Sequence, residues 1–144
     1  MNKKYKIGYT TGVFDMFHIG HLNILRRAKE QCDYLIVGVT TDELCYARKN
    51  RYPIIKQSER VEIVSEIRYV DKVILQADMD KIKPVREFGC DVVFVGDDWR
   101  GTDAWIEYEK QFAKVGAVVV YLPHTDGISS TMLRRILDGI DRGN

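Results

Sequence analysis

The stretch "TTGVFDMFHIGH", Thr10–His21, holds two of the chain's three histidines, His18 and His21, where a strand pattern gives way to a helical one. Residues at i and i+3 around a helix start project to the same side. The free N–H groups of the first helical turn favour an anion, so a phosphate sits well there. Imidazoles donating to phosphate oxygens would add stabilisation where charge builds up in phosphoryl or nucleotidyl transfer. Gly20, between the two rings, removes a side chain and lets a ligand approach the backbone. The opposing reading is that both histidines cap or pack the helix start. Asp15 follows Phe14 on the first turn and is placed both to hold the histidine loop by hydrogen bonds and to touch ligand.

Two more stretches carry chemistry. In "HTDGISSTMLRR", His124–Arg135, Gly127 permits a tight turn after His124 and Thr125, and Ile128 leads into Ser129, Ser130 and Thr131 at a helix start. Hydroxyls and backbone N–H groups there make a second phosphate cradle, with the bidentate fork of Arg134 one turn in. An ordinary N-cap with solvated arginines is the competing explanation. In "GDDW", Asp97 and Asp98 could bind Mg²⁺, accept from a base or cap the next turn, while Trp99 closes over a planar base or joins the core. Arg68, in "EIRYVD", stands near the end of an otherwise apolar helix face, where a solvated arginine is the usual occupant. No Ser–His–Asp order, H-E-x-x-H or G-x-x-x-x-G-K-[ST] occurs, and no G-x-G-x-x-G follows the first strand, which counts against a dinucleotide oxidoreductase.

The elements that must position these residues alternate regularly. Lys4–Thr10, Asp33–Thr40, Asp71–Ala77, Asp91–Asp97 and Ala117–Pro123 read as strands, several of them nearly continuous in Val, Ile and Leu, as parallel strands covered on both faces are. Helical patterns lie between them. Gly20–Cys32 places Leu22, Leu25 and Ala28 at helical spacing, and Ser58–Val70 opens on Ser58 as N-cap. Pro84–Phe88 should stop at Gly89, Asp103–Lys114 at Gly116, and a last helix covers Ser130–Ile140. Cys45–Gln57 is basic, contains Pro53 and lacks a clean period, which predicts a long functional loop. Strand–helix repetition predicts an α/β fold, a single-domain, Rossmann-like three-layer α/β/α arrangement with a five-stranded parallel sheet over residues 1–144. Ligands of such sheets bind beyond the carboxyl ends of the strands. The histidine stretch, "GDDW" and "HTDGISST" all fall there, so they should converge on one edge.

The bulk properties narrow the classes. The 144 residues are 45% hydrophobic and 30% charged, and 22 Lys and Arg against 21 Asp and Glu leave a formal charge of +1. That balance gives no reason to expect a nucleic-acid or membrane-surface partner. No signal peptide and no membrane-span-length apolar run is read. Cys32, Cys45 and Cys90 are scattered and form no C-x-x-C pair, so they read as reduced thiols of a cytoplasmic protein rather than a disulfide frame or a metal site.

With these segments side by side, the chain resembles the cytidylyltransferase branch of the H-x-G-H nucleotidyltransferase superfamily, most of all the small bacterial glycerol-3-phosphate cytidylyltransferases. The resemblance covers Ile7 to Leu137 and rests on "GVFDMFHIGH", "TTDEL", "RYVDKV", "GDDW" and "TDGISST" occurring in the family's order. It implies a single displacement without a covalent enzyme intermediate: the phosphate oxygen of an alcohol phosphate attacks the α-phosphorus of CTP, with Mg²⁺ assisting, giving a CDP-alcohol and pyrophosphate. It further implies that His18 and His21 are catalytic and hold the triphosphate, that Val13 and Phe14 contact nucleotide through backbone, and that Arg68 lies near the cytosine or ribose. Asp15, Asp98, Trp99, His124, Thr125, Gly127, Ile128, Ser129, Ser130, Thr131 and Arg134 complete the implied nucleotide site. Arg48 or Lys49 corresponds to a substrate-binding lysine of the loop after "TTDEL", and Lys81 falls close to a second one. Family resemblance also implies a homodimer, through the "RYVD" region.

Two positions depart from the family pattern. His124 stands where the family has an arginine that contacts phosphate, and Val13 where threonine is common. A neutral imidazole is a weaker phosphate partner than guanidinium, and a protonated one makes binding pH-dependent. Either Arg134 supplies the missing charge or the substrate differs. Other alcohol phosphates, adenylyl transfer and a nucleotide-binding regulatory module are the alternative functions.

Overall fold

The structure, a computed structural model, describes residues 3–143, and side chains as far as residue 140. Its elements follow in the order β1 (Tyr5–Gly12), α1 (Ile19–Gln31), β2 (Cys32–Thr40), α2 (Asp42–Lys49), α3 (Gln57–Ser65), β3 (Lys72–Gln76), α4 (Ile82–Phe88), β4 (Val92–Gly96), a 3-10 turn (Asp97–Trp99), α5 (Asp103–Lys114), β5 (Val118–Leu122) and α6 (Ser130–Gly143). All pairings in the five-stranded sheet are parallel, in the order β3-β2-β1-β4-β5. The chain therefore winds outward from β1 in one direction through β2 and β3, and in the other through β4 and β5. The reversal opens a crevice between the carboxyl ends of β1 and β4, where open α/β sheets bind ligands.

Two cores cover the sheet. Leu25 and Ala28 of α1 and Val64 of α3 pack with Leu35, Val37, Val39, Val92 and Phe94 on one face. Val85 of α4 and Trp105 and Phe112 of α5 pack with Tyr9, Ile36 and Val93 on the other. This is the expected three-layer architecture. Burial on both faces explains the apolar runs, because a strand covered on both sides has no polar face to alternate with.

Three local expectations change. Cys45–Gln57 is not one loop: its first five residues belong to α2, which Thr41 caps by accepting from the Leu44 N–H at 3.1 Å, with acids in its first turn, Arg48 and Lys49 in its last and left-handed Asn50 after it. Each of these is a helix signal, offset by the lack of an apolar period in so short and half-exposed a segment. α3 begins one residue before Ser58 and has no side-chain cap, so Ser58 is not its N-cap. It also ends at Ser65, which leaves Arg68 in the following turn rather than on a helix.

Candidate active site

The two turns that leave β1 and β5 meet at the crevice. Together with α2, the segment after it and the start of α6, they enclose a cavity of about 390 Å³, lined among others by Val13, Phe14, Asp15, His18, Gly20 and His21. The histidines cap α1 and face the cavity at once. The Gly20 N–H donates to His18 Nδ1 at 3.0 Å, and the His18 N–H donates to His21 Nδ1 at 3.2 Å, a capping box built from imidazoles. Capping the helix and lining the cavity are thus compatible in one arrangement. With both Nδ1 atoms accepting from backbone, the proton of each neutral ring sits on Nε2. Burial lowers the His18 pKa, and burial, then the neighbouring His18 ring, lowers that of His21 to about 4. At neutral pH the site thus presents two uncharged N–H donors from rings stacked 3.9 Å apart.

Gly20 also has a role within the turn. A Cβ there would lie 2.8 Å from His18 Cε1, so the glycine, itself part of the cavity wall, makes room for the histidine ring. The turn is also strained. Phe14 and Met16, either side of Asp15, have φ of 55° and 50°, a conformation that persists only where its surroundings over-determine it.

Asp15 supplies that restraint. Its two carboxylate oxygens accept from the Ile54 and Ile55 N–H groups, both at 2.8 Å, and Arg134 Nη2 reaches Oδ2 at 3.3 Å. The Ser130 hydroxyl donates to the Asp15 carbonyl at 2.7 Å and lies 3.4 Å from His18 Nε2. Asp15 and Ser130 therefore tie the histidine turn, the segment after α2 and α6 together, and their polar atoms are already engaged. Ser129 caps α6 by accepting from the Met132 N–H at 3.0 Å, and among the described residues neither its hydroxyl nor that of Thr131 in the cavity wall donates a hydrogen bond.

Arg60 is the main residue that sequence reasoning missed. Only 1% exposed, it donates through Nε to the Ile55 carbonyl, through Nη1 to the carbonyls of Val13 and Thr40, and through Nη2 to Asp42 Oδ1, all between 2.6 and 2.8 Å. One guanidinium thus fixes the exit of β1, the exit of β2, the start of α2 and the loop before α3. Its spacing gave a signal: four residues before Val64, it shares that residue's buried helix face.

The remaining expected residues divide. Asp98, His124, Thr125, Ile128, Thr131 and Arg134 line the cavity, as does Lys49, joined by the unanticipated Arg51 and Cys45. Arg48, Arg68, Lys81, Trp99 and Gly127 do not line it. Trp99 is 46% exposed, so it is neither core nor a wall of the cavity. Gly127 makes the expected turn at φ +84°. Lys81 Nζ donates to Thr11 Oγ1 at 3.2 Å at the end of β1, and burial, then Arg48, lowers its pKa to about 8. His124 is exposed, its Nδ1 and Nε2 each 3.2 Å from a carboxylate, of Asp97 and of Asp126. The hydrogen bond to Asp97 first, then the charge of Asp126, raise its pKa. Thr125 Oγ1 accepts from Asn23 Nδ2 at 2.8 Å, docking this corner on α1.

Comparison with known proteins agrees with this geometry. The cytidylyltransferase-like family model matches residues 9–136. The chain belongs to that family. It is 37% identical over 132 residues to the glycerol-3-phosphate cytidylyltransferase of Bacillus subtilis, covering 91% of this chain and 96% of that one. It is also 36% identical over 128 residues to the FAD synthase of Thermoplasma acidophilum, covering 87% and 89%. Among solved structures, a lipopolysaccharide core biosynthesis protein of Thermoplasma volcanium superposes with a TM-score of 0.68 at 32% identity, covering 84% of this chain and 97% of that one. The cytidylyltransferase-like chain is thus a nucleotidyltransferase enzyme. Among its described residues no helix is long and apolar enough to cross a membrane.

Proposed function

We propose that the enzyme transfers CMP from CTP to glycerol 3-phosphate, releasing pyrophosphate and CDP-glycerol. The observation that carries this reading is the pair of neutral imidazoles, protonated on Nε2 because backbone N–H groups take Nδ1, that line one cavity with Lys49, Arg51, Arg134, Ser129 and Thr131. Donors of this kind suit the oxygens of a triphosphate, and they strengthen as charge moves onto the leaving pyrophosphate. Neutral rings keep the N–H donors without adding cations that would bind the ground state as tightly as the transition state. Lys49 and Arg51, cations of the same cavity wall, would hold a second phosphate, that of the acceptor, for attack on the α-phosphorus. The acceptor is argued from the relative of matching length in Bacillus subtilis.

Mg²⁺ fits as a companion of the nucleotide. Among the described residues no group of three or more His, Cys, Asp or Glu could cage a metal, and the carboxylate of Asp15 is already engaged by two N–H groups and Arg134. Asp98 is the cavity carboxylate left to share an ion held chiefly by phosphate oxygens, which is how Mg²⁺ is commonly bound. When bound, it would neutralise triphosphate charge.

A second reading, transfer of an adenine nucleotide, draws on the similarity to an FAD synthase. Pyrophosphate release with Mg²⁺ separates the two when CTP and ATP are crossed against glycerol 3-phosphate, ethanolamine phosphate, choline phosphate and FMN. Release with CTP and glycerol 3-phosphate alone is expected. Release only with ATP, or with CTP only when another acceptor is present, overturns the proposal.

A further inference from the structure

Lys49 and Arg51, the cavity cations to which the proposed reaction gives the acceptor phosphate, stand on either side of Asn50. Among the described residues neither side chain takes part in an ion pair. The aim of both cations is therefore set by the backbone that carries them. That backbone is a sharp turn. α2 ends at Lys49, and Asn50 follows in the left-handed conformation, φ 57°, while its N–H donates to the Tyr46 carbonyl at 2.8 Å. Asparagine adopts this geometry more readily than most residues, but one capping bond does not hold the chain beyond it.

Further along, the segment is held from the cavity side. The Tyr52 carbonyl accepts from Arg134 Nη2 at 3.0 Å, and the Ile54 and Ile55 N–H groups donate to Asp15. The buried Cys45 thiol donates to the Arg51 carbonyl at 3.6 Å, a weak bond.

Two rings close the outer side. Tyr46, on α2, and Tyr52, beyond the turn, stack with centroids 4.6 Å apart and planes inclined at 26°. They are 44% and 59% exposed, and neither lines the cavity. Each ring covers a face of the other, and such a pair contributes beyond the area it buries. The residues it brackets include both cations.

We infer that the Tyr46–Tyr52 stack is a clasp that closes the turn after α2 and positions Lys49 and Arg51 for the acceptor phosphate. The two tyrosines are positioning residues, acting through the cations between them. The inference rests on the proposed reading of the cavity, in which those cations hold the acceptor. Because the stack is made by ring faces, phenylalanine serves in place of tyrosine and alanine does not. Loss of either ring undoes the whole clasp, so removing the second adds nothing further.

Steady-state kinetics and proteolysis of the substrate-free chain test this together. In Tyr46→Ala and Tyr52→Ala the KM for glycerol 3-phosphate should rise about three- to tenfold, as the strength of an aromatic pair allows, with kcat and the KM for CTP within about twofold. The double alanine variant should match the single ones, and Tyr46→Phe and Tyr52→Phe should keep the wild-type KM. Trypsin should cut after Lys49 and Arg51 faster in the alanine variants and at the wild-type rate in the phenylalanine ones, because a loosened turn opens more often. An unchanged acceptor KM, an equal rise in the KM for CTP, additive losses in the double variant, or wild-type cleavage in the alanine variants each overturn the inference. Lys49→Ala separates the two levels. If it raises the acceptor KM and Tyr52→Ala does not, the clasp alone fails; if neither raises it, the reading of the cavity fails with the clasp.

Discussion

The histidine turn after β1 and the His124 corner after β5 face one cavity, yet their surroundings push imidazole in opposite directions. His18 and His21 are held by backbone N–H groups on Nδ1, stacked on each other and partly buried, so both stay neutral at pH 7. His124 is exposed and bracketed by the carboxylates of Asp97 and Asp126, which favour its charged form. The first arrangement gives fixed, uncharged donors suited to following charge as it moves during reaction. The second gives a movable charge suited to binding. Arginine would meet the binding need at any pH, whereas histidine makes it depend on pH. The difference lies in restraint: the turn has a capping box, Asp15 and Arg60 behind it, and the corner is docked by Asn23 on Thr125.

The contrast breaks most severely if the restraint is removed. Arg60→Ala strands Asp42 and three carbonyls around a buried void and should destabilise the fold by about 3–5 kcal/mol, read as a lower midpoint in urea. His21→Ala should lower kcat by about 10²–10³-fold with an unchanged far-UV spectrum, whereas His124→Ala should cost only a few-fold, mostly in KM.

Two pH experiments sharpen the comparison. The His21 pKa falls from 6.5 in the unfolded chain to about 4 in the folded one. Between these values the unfolded state binds the extra proton, so stability is full above pH 6.5 and is lost as pH falls towards 4. Urea midpoints at pH 7 and pH 5 should differ in that sense, and by less in His21→Gln. His124 behaves in the opposite way. Its pKa is raised, so its charge is present at low pH and lost as pH rises through that higher value. The KM for CTP should rise a few-fold over the same range, and His124→Arg should flatten the rise without loss of turnover.

Much of this was legible in the sequence, for reasons specific to each residue. Scarce residue types at a strand end placed the histidine turn, and doubly buried strands announced themselves as apolar runs. The parallel sheet and the convergence of three segments at its edge followed. Arg60 was hidden because its partners are mainly backbone carbonyls of Val13, Thr40 and Ile55, and carbonyls leave no trace in residue identity. Asp15 was recognisable as a residue that holds the histidine turn, but that the Ser130 hydroxyl also ties it down, by donating to the Asp15 carbonyl, depends on which atoms its neighbours offer. Arg68 was assigned by a helix that ends three residues too early to carry it.

In the proposed mechanism the two histidines of the turn act as neutral donors through Nε2. Nitrogen-15 NMR of histidine-labelled protein at pH 7, with and without CTP and Mg²⁺, tests it most directly. Neutral rings with the proton on Nε2 are expected for both His18 and His21, with a shift of both Nε2–H signals when the nucleotide binds. An imidazolium at either position, or protons on Nδ1, would contradict it.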